Sequence, residues 1–193
     1  MNRRGLLGAV LGTITAAASF PRHARAGAGP LRPPGALPPG SFEEACVGCF
    51  RCAEVCPPGA IRFPGRFTLE AAQPFIAARE QACILCMACT QVCPTDALTP
   101  TEPRLELIAK TVRMGTPVLD RRACLPWAGE GVCRLCAYVC PYPGKAVELV
   151  GPRQAPLFHP EGCVGCGLCE EACPEEARAI RIRPRSGPEV PRP

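Results

Sequence analysis

Residues 46–57 read CVGCFRCAEVCP, and this stretch decides the fold because the chain repeats it. The same spacing, C-x2-C-x2-C-x3-C-P, returns in residues 83–94 and 163–174. Residues 124–141 keep the last three cysteines and the proline of this pattern, but eight residues fill the first gap. We number these four runs in chain order. Together they use all 16 cysteines of the chain.

The spacing of the runs matches the ligand pattern of bacterial [4Fe–4S] ferredoxins. Two-residue gaps let three thiolates reach three iron corners of a cubane from one tight loop, whereas the fourth cysteine lies too far round. In two-cluster ferredoxins that fourth cysteine binds the other cluster. We therefore predict four [4Fe–4S] clusters as cofactors. Their predicted ligands are Cys46, Cys49, Cys52, Cys56, Cys83, Cys86, Cys89, Cys93, Cys124, Cys133, Cys136, Cys140, Cys163, Cys166, Cys169 and Cys173.

The runs can exchange their fourth ligands in two ways. If adjacent runs pair, the four ligand sets are Cys46, Cys49, Cys52 with Cys93; Cys83, Cys86, Cys89 with Cys56; Cys124, Cys133, Cys136 with Cys173; and Cys163, Cys166, Cys169 with Cys140. The alternative pairs the first run with the fourth and the second with the third. Spacing alone leaves both open, and we expect adjacent pairing.

Other uses of the cysteines fit the spacing less well. Disulfides between neighbours in a run would close very small loops, and all-cysteine zinc sites are usually built from two separated C-x2-C pairs. The long gap of the third run raises the alternative that this run has lost its cluster, but all four of its thiols are present. The sequence shows no Ser/His/Asp set and no Gly-rich phosphate loop. We therefore predict an electron carrier without a substrate site, not an enzyme.

Composition indicates a fold that depends on its clusters. Aromatic residues make up 5% of the chain, while Pro (25) and Gly (19) are abundant. Since metal binding can replace missing apolar burial, we expect an α+β, loop-rich, cluster-stabilised fold. We expect it to form two tandem bacterial 2[4Fe–4S] ferredoxin-like modules, with a helical turn and a short strand after the proline of each run. Further strand candidates are 74–77, 117–120 and 156–159, and helical spacing marks 101–114.

The N-terminal residues predict export. Arg3 and Arg4 precede a weakly apolar stretch, and Ala24-Arg25-Ala26 offers a small-residue cleavage site. This pattern is typical of a Tat signal, and that route exports proteins that already hold their cofactors. The predicted organisation is a signal peptide (1–26), a Pro-rich linker (27–40), a first module (41–100), a connecting helix (101–116), a second module (117–183) and a disordered tail (184–193).

The basic sequence pI does not indicate a nucleic-acid partner, and we expect none, because the clusters make the holoprotein anionic. Loss of the four arginines in residues 1–26 lowers the net charge from +5 to +1. Each oxidised cluster with its four thiolates adds about −2, because the charge of the metal site must be counted. The mature holoprotein is therefore anionic, although the sequence pI is about 8.5.

Several motifs carry a resemblance to a known family. The lead-in RPPGAL (32–37), the phrase MGTPV (114–118) and the expanded third run beginning CLPW (124–127) resemble the MauM and NapG ferredoxin-type proteins. The resemblance implies four [4Fe–4S] clusters in a periplasmic protein. Its implied partners are a membrane-bound, ferredoxin-like quinol dehydrogenase and a periplasmic redox enzyme, with membrane contact only through the partner.

The function implied by this resemblance is electron relay from quinol oxidation to a periplasmic oxidoreductase, in a nitrate-reduction or methylamine-utilisation system. Two alternatives stay open. The protein could serve as a maturation or assembly factor for a periplasmic redox enzyme, or it could be a subunit of a larger oxidoreductase with its own catalytic chain.

Overall fold

The computed structural model describes residues 29–64, 73–174 and 177–184. Short helices and short strands alternate along this part of the chain. In order they are α1 (Ser41–Ala45), α2 (Arg51–Glu54), β1 (Ile61–Arg62), β2 (Phe75–Ile76), α3 (Ala88–Gln91), α4 (Leu105–Thr111), β3 (Gly115–Leu119), α5 (Leu125–Ala128), α6 (Leu135–Tyr138), β4 (Val147–Val150), β5 (Ala155–Phe158), α7 (Leu168–Glu171) and β6 (Ile180–Pro184). The α+β, loop-rich character predicted from the sequence is confirmed.

The strands pair antiparallel in three two-stranded sheets. β1 pairs with β2, with Ile61 opposite Ile76, and β4 forms a hairpin with β5. β3 pairs with β6 over five residue pairs, so the segment before the third run lies beside the segment after the fourth. Each predicted strand candidate overlaps a strand, with one exception. The exception is the tail of the second run, where Leu98 makes only an isolated bridge to Ala36.

The helical turn of each run lies elsewhere than predicted. In each run it precedes the proline and includes the third cysteine, as in α2, α3, α6 and α7. The proline explains the difference, since its ring disfavours helical backbone in the residue before it and so limits the turn at the fourth cysteine. The connecting helix α4 is also shorter than predicted. Pro103 precedes its N-cap, Arg104, and the backbone is extended again at Val112.

The main apolar core draws on both halves of the chain. It contains Phe42, Ile61 and Ile76 from the first half together with Val164 and Ile182 from the second. A second, smaller cluster surrounds three cysteines of the third and fourth runs, Cys124, Cys136 and Cys173. The two predicted modules therefore share packing, and their boundaries stay a prediction.

The Pro-rich segment before the first run packs into the core of the first half. Pro33 and Pro34 are fully buried, and Leu37 donates its N–H to the Ala97 carbonyl at 3.0 Å. Arg32 lies over the Phe42 ring, 4.8 Å from its centroid, and forms an ion pair with Glu43 at 2.7 Å.

Other predictions fall on residues that the structure does not describe. The signal peptide (1–26) and all of the tail beyond Pro184 lie outside the described residues. Within the described ranges, no helix is both long and apolar enough to cross a membrane.

Candidate iron–sulfur sites

Each regular run folds as a loop in which two residues adopt positive φ. In the first run these are Gly48 (φ 64°) and Phe50 (φ 65°), and in the fourth Gly165 (φ 77°) and Gly167 (φ 90°). The second run places Leu85 and Met87 at the same two positions, with φ of 60° and 57°. Alternation of right- and left-handed backbone turns successive N–H groups toward one side, which forms an anion-binding concavity. Such a concavity suits the sulfur atoms of an anionic cluster.

Backbone N–H groups of the loops reach the cysteine sulfurs. Leu85 N–H donates to Cys83 Sγ at 3.4 Å, and the equivalent Gly165 N–H donates to Cys163 Sγ at 3.3 Å. After the fourth run, Ala179 N–H donates to Cys173 Sγ at 3.3 Å. Hydrogen bonds of this kind stabilise thiolates and tune the potential of a bound cluster.

Four cysteines of the first and second runs line one pocket, which bears on whether they could hold a [4Fe–4S] cluster. This small pocket lies between the first and second runs. Three cysteines of the second run, Cys83, Cys86 and Cys89, line it together with Cys56, the last cysteine of the first run. The rest of its wall is mostly apolar, with Ile61, Ile76 and Met87 among the lining residues. Four thiols around one mostly apolar pocket match the donor set of a [4Fe–4S] cluster.

The thiols of the second half also gather in two groups. The thiolates of Cys133 and Cys173 lie close enough to Cys124 to raise its pKa, in addition to the larger effect of burial. In the other group, burial raises the pKa of Cys166 to about 12, and the charges of Cys163 and Cys140 add to the rise. Thus the last cysteine of each of these runs approaches the other run.

The cysteines of the first run are the least enclosed. Cys49 is exposed, and Cys52 is the buried member of its loop. Burial raises the pKa of Cys52 to about 11, helped by the charges of Cys46 and Cys49. Cys93 differs from the others, because the N–H groups of Thr95, Leu98 and Ala97 outweigh its burial and lower its pKa.

These pKa directions indicate that cluster binding is coupled to proton release. Thiols with raised pKa values are protonated at neutral pH, whereas iron needs thiolates, so cluster binding must release protons. Nowhere in the described part of the chain do three His, Cys, Asp or Glu side chains converge as they would on a single metal ion. The ligands of a cubane are spread over four iron corners instead.

Thiols of different groups also approach one another. The Cys52 thiolate lies near enough to Cys89 to raise its pKa, after the larger effects of burial and of the Cys83 and Cys86 charges. For Cys169, burial raises the pKa most, and the charge of Cys136 in the third run adds to it. Cys83 N–H donates to the Cys166 carbonyl at 3.0 Å, which joins the second run to the fourth.

The insert of the third run packs against its own cysteines. Trp127, in α5, contacts the apolar cluster around Cys124, Cys136 and Cys173. Its Nε1–H donates to the Pro156 carbonyl at 2.9 Å, and the Arg121 guanidinium lies 4.3 Å from its ring centroid. The insert is therefore a cover on one side of the third-run thiols.

Sequence reasoning missed two polar residues that hold the fourth run. The Glu170 carboxylate is buried and accepts the N–H of Ile182 at 2.6 Å. Arg79 reaches across the chain and donates to the carbonyls of Glu170 and Cys173 at 2.6 and 2.7 Å. Neither residue belongs to a spacing pattern in the sequence. The only available signal was the position of Glu170 directly after the third cysteine of its run. His159 directly follows β5, and its Nε2 lies 3.6 Å from Glu148 Oε2.

Comparisons with known proteins agree with this chemistry. Family models described as a 4Fe–4S dicluster domain, a 4Fe–4S double cluster binding domain and a 4Fe–4S binding domain match residues 45–97, 82–143 and 156–179, respectively. They confirm tandem ferredoxin-type domains, and with the 16 cysteines they make this a four-cluster [4Fe–4S] protein. The two-cluster models overlap at the second run, so they do not decide which runs pair.

Relatives cover most of the chain. The methylamine utilization ferredoxin-type protein MauM of Methylobacillus flagellatus is 36% identical over 187 residues, which cover 92% of this chain and 78% of that protein. The ferredoxin-type protein NapG of Escherichia coli is 35% identical over 174 residues, covering 84% and 74%.

A solved complex of formate dehydrogenase, heterodisulfide reductase and formylmethanofuran dehydrogenase from Methanospirillum hungatei contains a chain that is 23% identical. That match covers 73% of this chain and 53% of the other, with a TM-score of 0.26, and carries no argument. On the strength of its curated relatives, the chain belongs to the family of MauM and NapG ferredoxin-type proteins.

Proposed function

We propose that this protein is a periplasmic electron carrier. It relays electrons between a membrane-bound, ferredoxin-like quinol dehydrogenase and a periplasmic oxidoreductase of a nitrate-reduction or methylamine-utilisation system. The observation that carries the proposal is that loops of different runs pack together, α2 on α3 and α6 on α7, while Cys83 N–H donates to the Cys166 carbonyl at 3.0 Å. Clusters held by loops that contact one another would lie close enough to exchange electrons within the protein. The relatives' names support the two kinds of system.

The residues of the chain have defined tasks in this function. When bound, each cluster supplies one-electron redox chemistry. The cysteines hold it, the loop N–H groups stabilise the charge on its sulfurs, and buried apolar side chains such as Met87 and Val164 keep water away. We assign no substrate site to the chain, so the oxidation and reduction of substrates belong to its partners. The predicted Tat signal in residues 1–26 would deliver the loaded protein to the periplasm.

The ligand sets belong to the same proposal. We infer adjacent pairing, in which Cys56 joins Cys83, Cys86 and Cys89, while Cys93 joins the first run. Cys173 and Cys140 are exchanged in the same way between the third and fourth runs. The cavity lined by Cys56 and three cysteines of the second run supports this assignment. The packing of α2 on α3, and of α6 on α7, supports it as well.

Anaerobic redox titration followed by electron paramagnetic resonance (EPR) tests the function. We expect four one-electron centres and stopped-flow reduction by the quinol dehydrogenase that keeps pace with turnover. Absence of reducible centres would end the proposal. Reducible centres that accept electrons from the dehydrogenase too slowly for turnover would favour the maturation role.

Ligand substitutions test the pairing. Cys56→Ser should change the potential of the same cluster as Cys86→Ser, since both would ligate the second-run cluster. Cys49→Ser is the matched control and should change a different cluster. If Cys56→Ser instead changes the cluster that Cys166→Ser changes, the first run pairs with the fourth.

A further inference from the structure

The second run contacts the fourth, although the third follows it in the chain. Besides the bond from Cys83 N–H to the Cys166 carbonyl, the Glu171 carboxylate accepts from Ala82 N–H and from the Gln81 side chain, both at 3.3 Å. Gly167 makes the approach possible. A Cβ placed on it would lie 2.5 Å from Ala78 Cβ, so no side chain fits between the two segments.

The two other joints lie between runs that are adjacent in the chain. In the first half α2 packs against α3, and in the second half α6 packs against α7. Cys169 of α7 connects the two apolar clusters of the molecule, since it packs against the main core and also against the cluster around Cys124, Cys136 and Cys173. Of the third-run cysteines, Cys124 and Cys136 lie in this smaller cluster, and Cys140, which we infer to ligate the fourth-run cluster, packs against the main core.

Burial supports an internal position for the fourth run but not for the second, where Ile84 is 49% exposed. The five residues 163–167 of the fourth run are all buried, and Val164 is 1% exposed. Val47, at the equivalent position of the first run, is 66% exposed. In the third run Val132 and Tyr138 are 59% and 87% exposed. The fourth run is thus interior, whereas the first and third runs lie at the surface.

We propose that electrons cross the protein in the order first, second, fourth and third run, so that the terminal clusters belong to the first and third runs. This order deepens the proposed function and depends on it. It differs from the order of the runs in the sequence. At each step one electron leaves one cluster and enters the next, and no bond is made or broken. The fourth-run cluster is then an internal relay, while the enlarged third run surrounds an end of the path.

Selective oxidation of one cluster at a time tests the order by EPR. Four variants replace the second cysteine of each run: Cys49→Ser, Cys86→Ser, Cys133→Ser and Cys166→Ser. A harder oxygen ligand favours the more oxidised iron, so the altered cluster should stay oxidised and diamagnetic when the others are reduced. Neighbouring reduced clusters couple magnetically and give broad spectra, whereas a reduced cluster without reduced neighbours gives a simple narrow signal.

The proposed order predicts which variants show a narrow signal. Cys166→Ser should leave the third-run cluster isolated, and Cys86→Ser should isolate the first-run cluster. Cys133→Ser and Cys49→Ser remove an end and should show coupled clusters only. A narrow signal in Cys133→Ser but not in Cys166→Ser would overturn the order and favour the sequence order. Loss of a cluster instead of its oxidation leaves these expectations unchanged, because that spin is absent either way.

A second variant keeps every ligand and addresses the joint directly. Gly167→Val should separate the second run from the fourth and reduce the coupling between the two halves, leaving two coupled pairs. Gly40→Val is the matched control, since Gly40 has nearly the same φ (91° against 90°) and nothing lies within 4 Å of its Cβ position. A Gly167→Val protein with four clusters and the spectrum of the unsubstituted protein would contradict the proposal. Absence of reducible centres in the unsubstituted protein would instead refute the proposed function itself.

Discussion

Replacing Gly165 by alanine probes the contact that encloses the fourth run. A Cβ at this position would lie 2.2 Å from the Gly115 nitrogen and 2.6 Å from the Gly115 oxygen, both backbone atoms of β3. Neither can rotate away, so the strand or the cysteine loop must shift. Gly144→Ala is the matched control. Its φ is 76°, against 77° for Gly165, and its Cβ would meet nothing within 4 Å.

The two variants share one cost and differ in another. An alanine in left-handed backbone costs roughly 1–2 kcal/mol, and both variants carry this term. Overpacking of a filled site costs about 1–3 kcal/mol more, and only Gly165→Ala carries it. If the contact is broken before the fourth-run cluster leaves, this difference converts to cluster loss that is about 5- to 150-fold faster.

The decay of visible absorbance measures cluster loss directly. Both variants and the unsubstituted protein would be followed anaerobically in the same mild denaturant, with iron release measured in parallel. We expect Gly144→Ala to lose clusters slightly faster than the unsubstituted protein and Gly165→Ala to lose them much faster. Equal rates for the two variants would refute the close approach of the fourth run to β3.

Three further predictions concern packing, a buried carboxylate and the clusters. Trp127→Phe should keep the aromatic packing but lose the hydrogen bond to the Pro156 carbonyl, which lowers the stability of the folded protein by about 1 kcal/mol. The third-run cluster should then decay faster, which the loss of visible absorbance would measure. Glu170→Ala should destabilise the holoprotein by about 1–3 kcal/mol by removing the acceptor of Ile182 N–H, while Glu170→Gln should restore most of the resistance to denaturant; equal losses in the two variants would contradict this. Anaerobic chelation of iron should abolish most secondary structure, because metal binding replaces apolar burial; a folded circular dichroism spectrum of the apo protein would count against it.

Strands and cysteine loops could be predicted where neighbouring residues in the sequence form a recognisable pattern. β-branched and apolar residues after the prolines marked β1, β4 and β6, and the repeated cysteine spacing marked all four loops. The insert helix α5 was missed, although Pro126 near its start and Gly129 at its end, with φ of 86°, are typical helix boundary residues. These two boundary residues enclose only four residues, and so short a segment is predicted as a loop when no further helix signal is present.

The arrangement of the runs could not be predicted in the same way. Gly165 and Gly167 lack side chains and so leave room for another segment to approach the fourth run. They did not indicate whether the neighbour would be a cluster, Gly115 or Ala78. Contacts between distant segments depend on which surfaces are complementary, and a single sequence does not contain that information locally. The same holds for Arg79, whose carbonyl partners lie 91 and 94 residues away.

Enclosure of residues 163–167 constrains biogenesis. We expect iron and sulfide to reach these thiols while the two halves stand apart, so that this cofactor is inserted before the chain closes around it. The surface runs, by contrast, stay accessible to solvent after closure, and Cys49 is exposed. Oxygen should therefore damage the clusters of the first and third runs first, and repair proteins can also reach these clusters. The enclosed fourth-run cluster should be the last to be damaged and the hardest to replace.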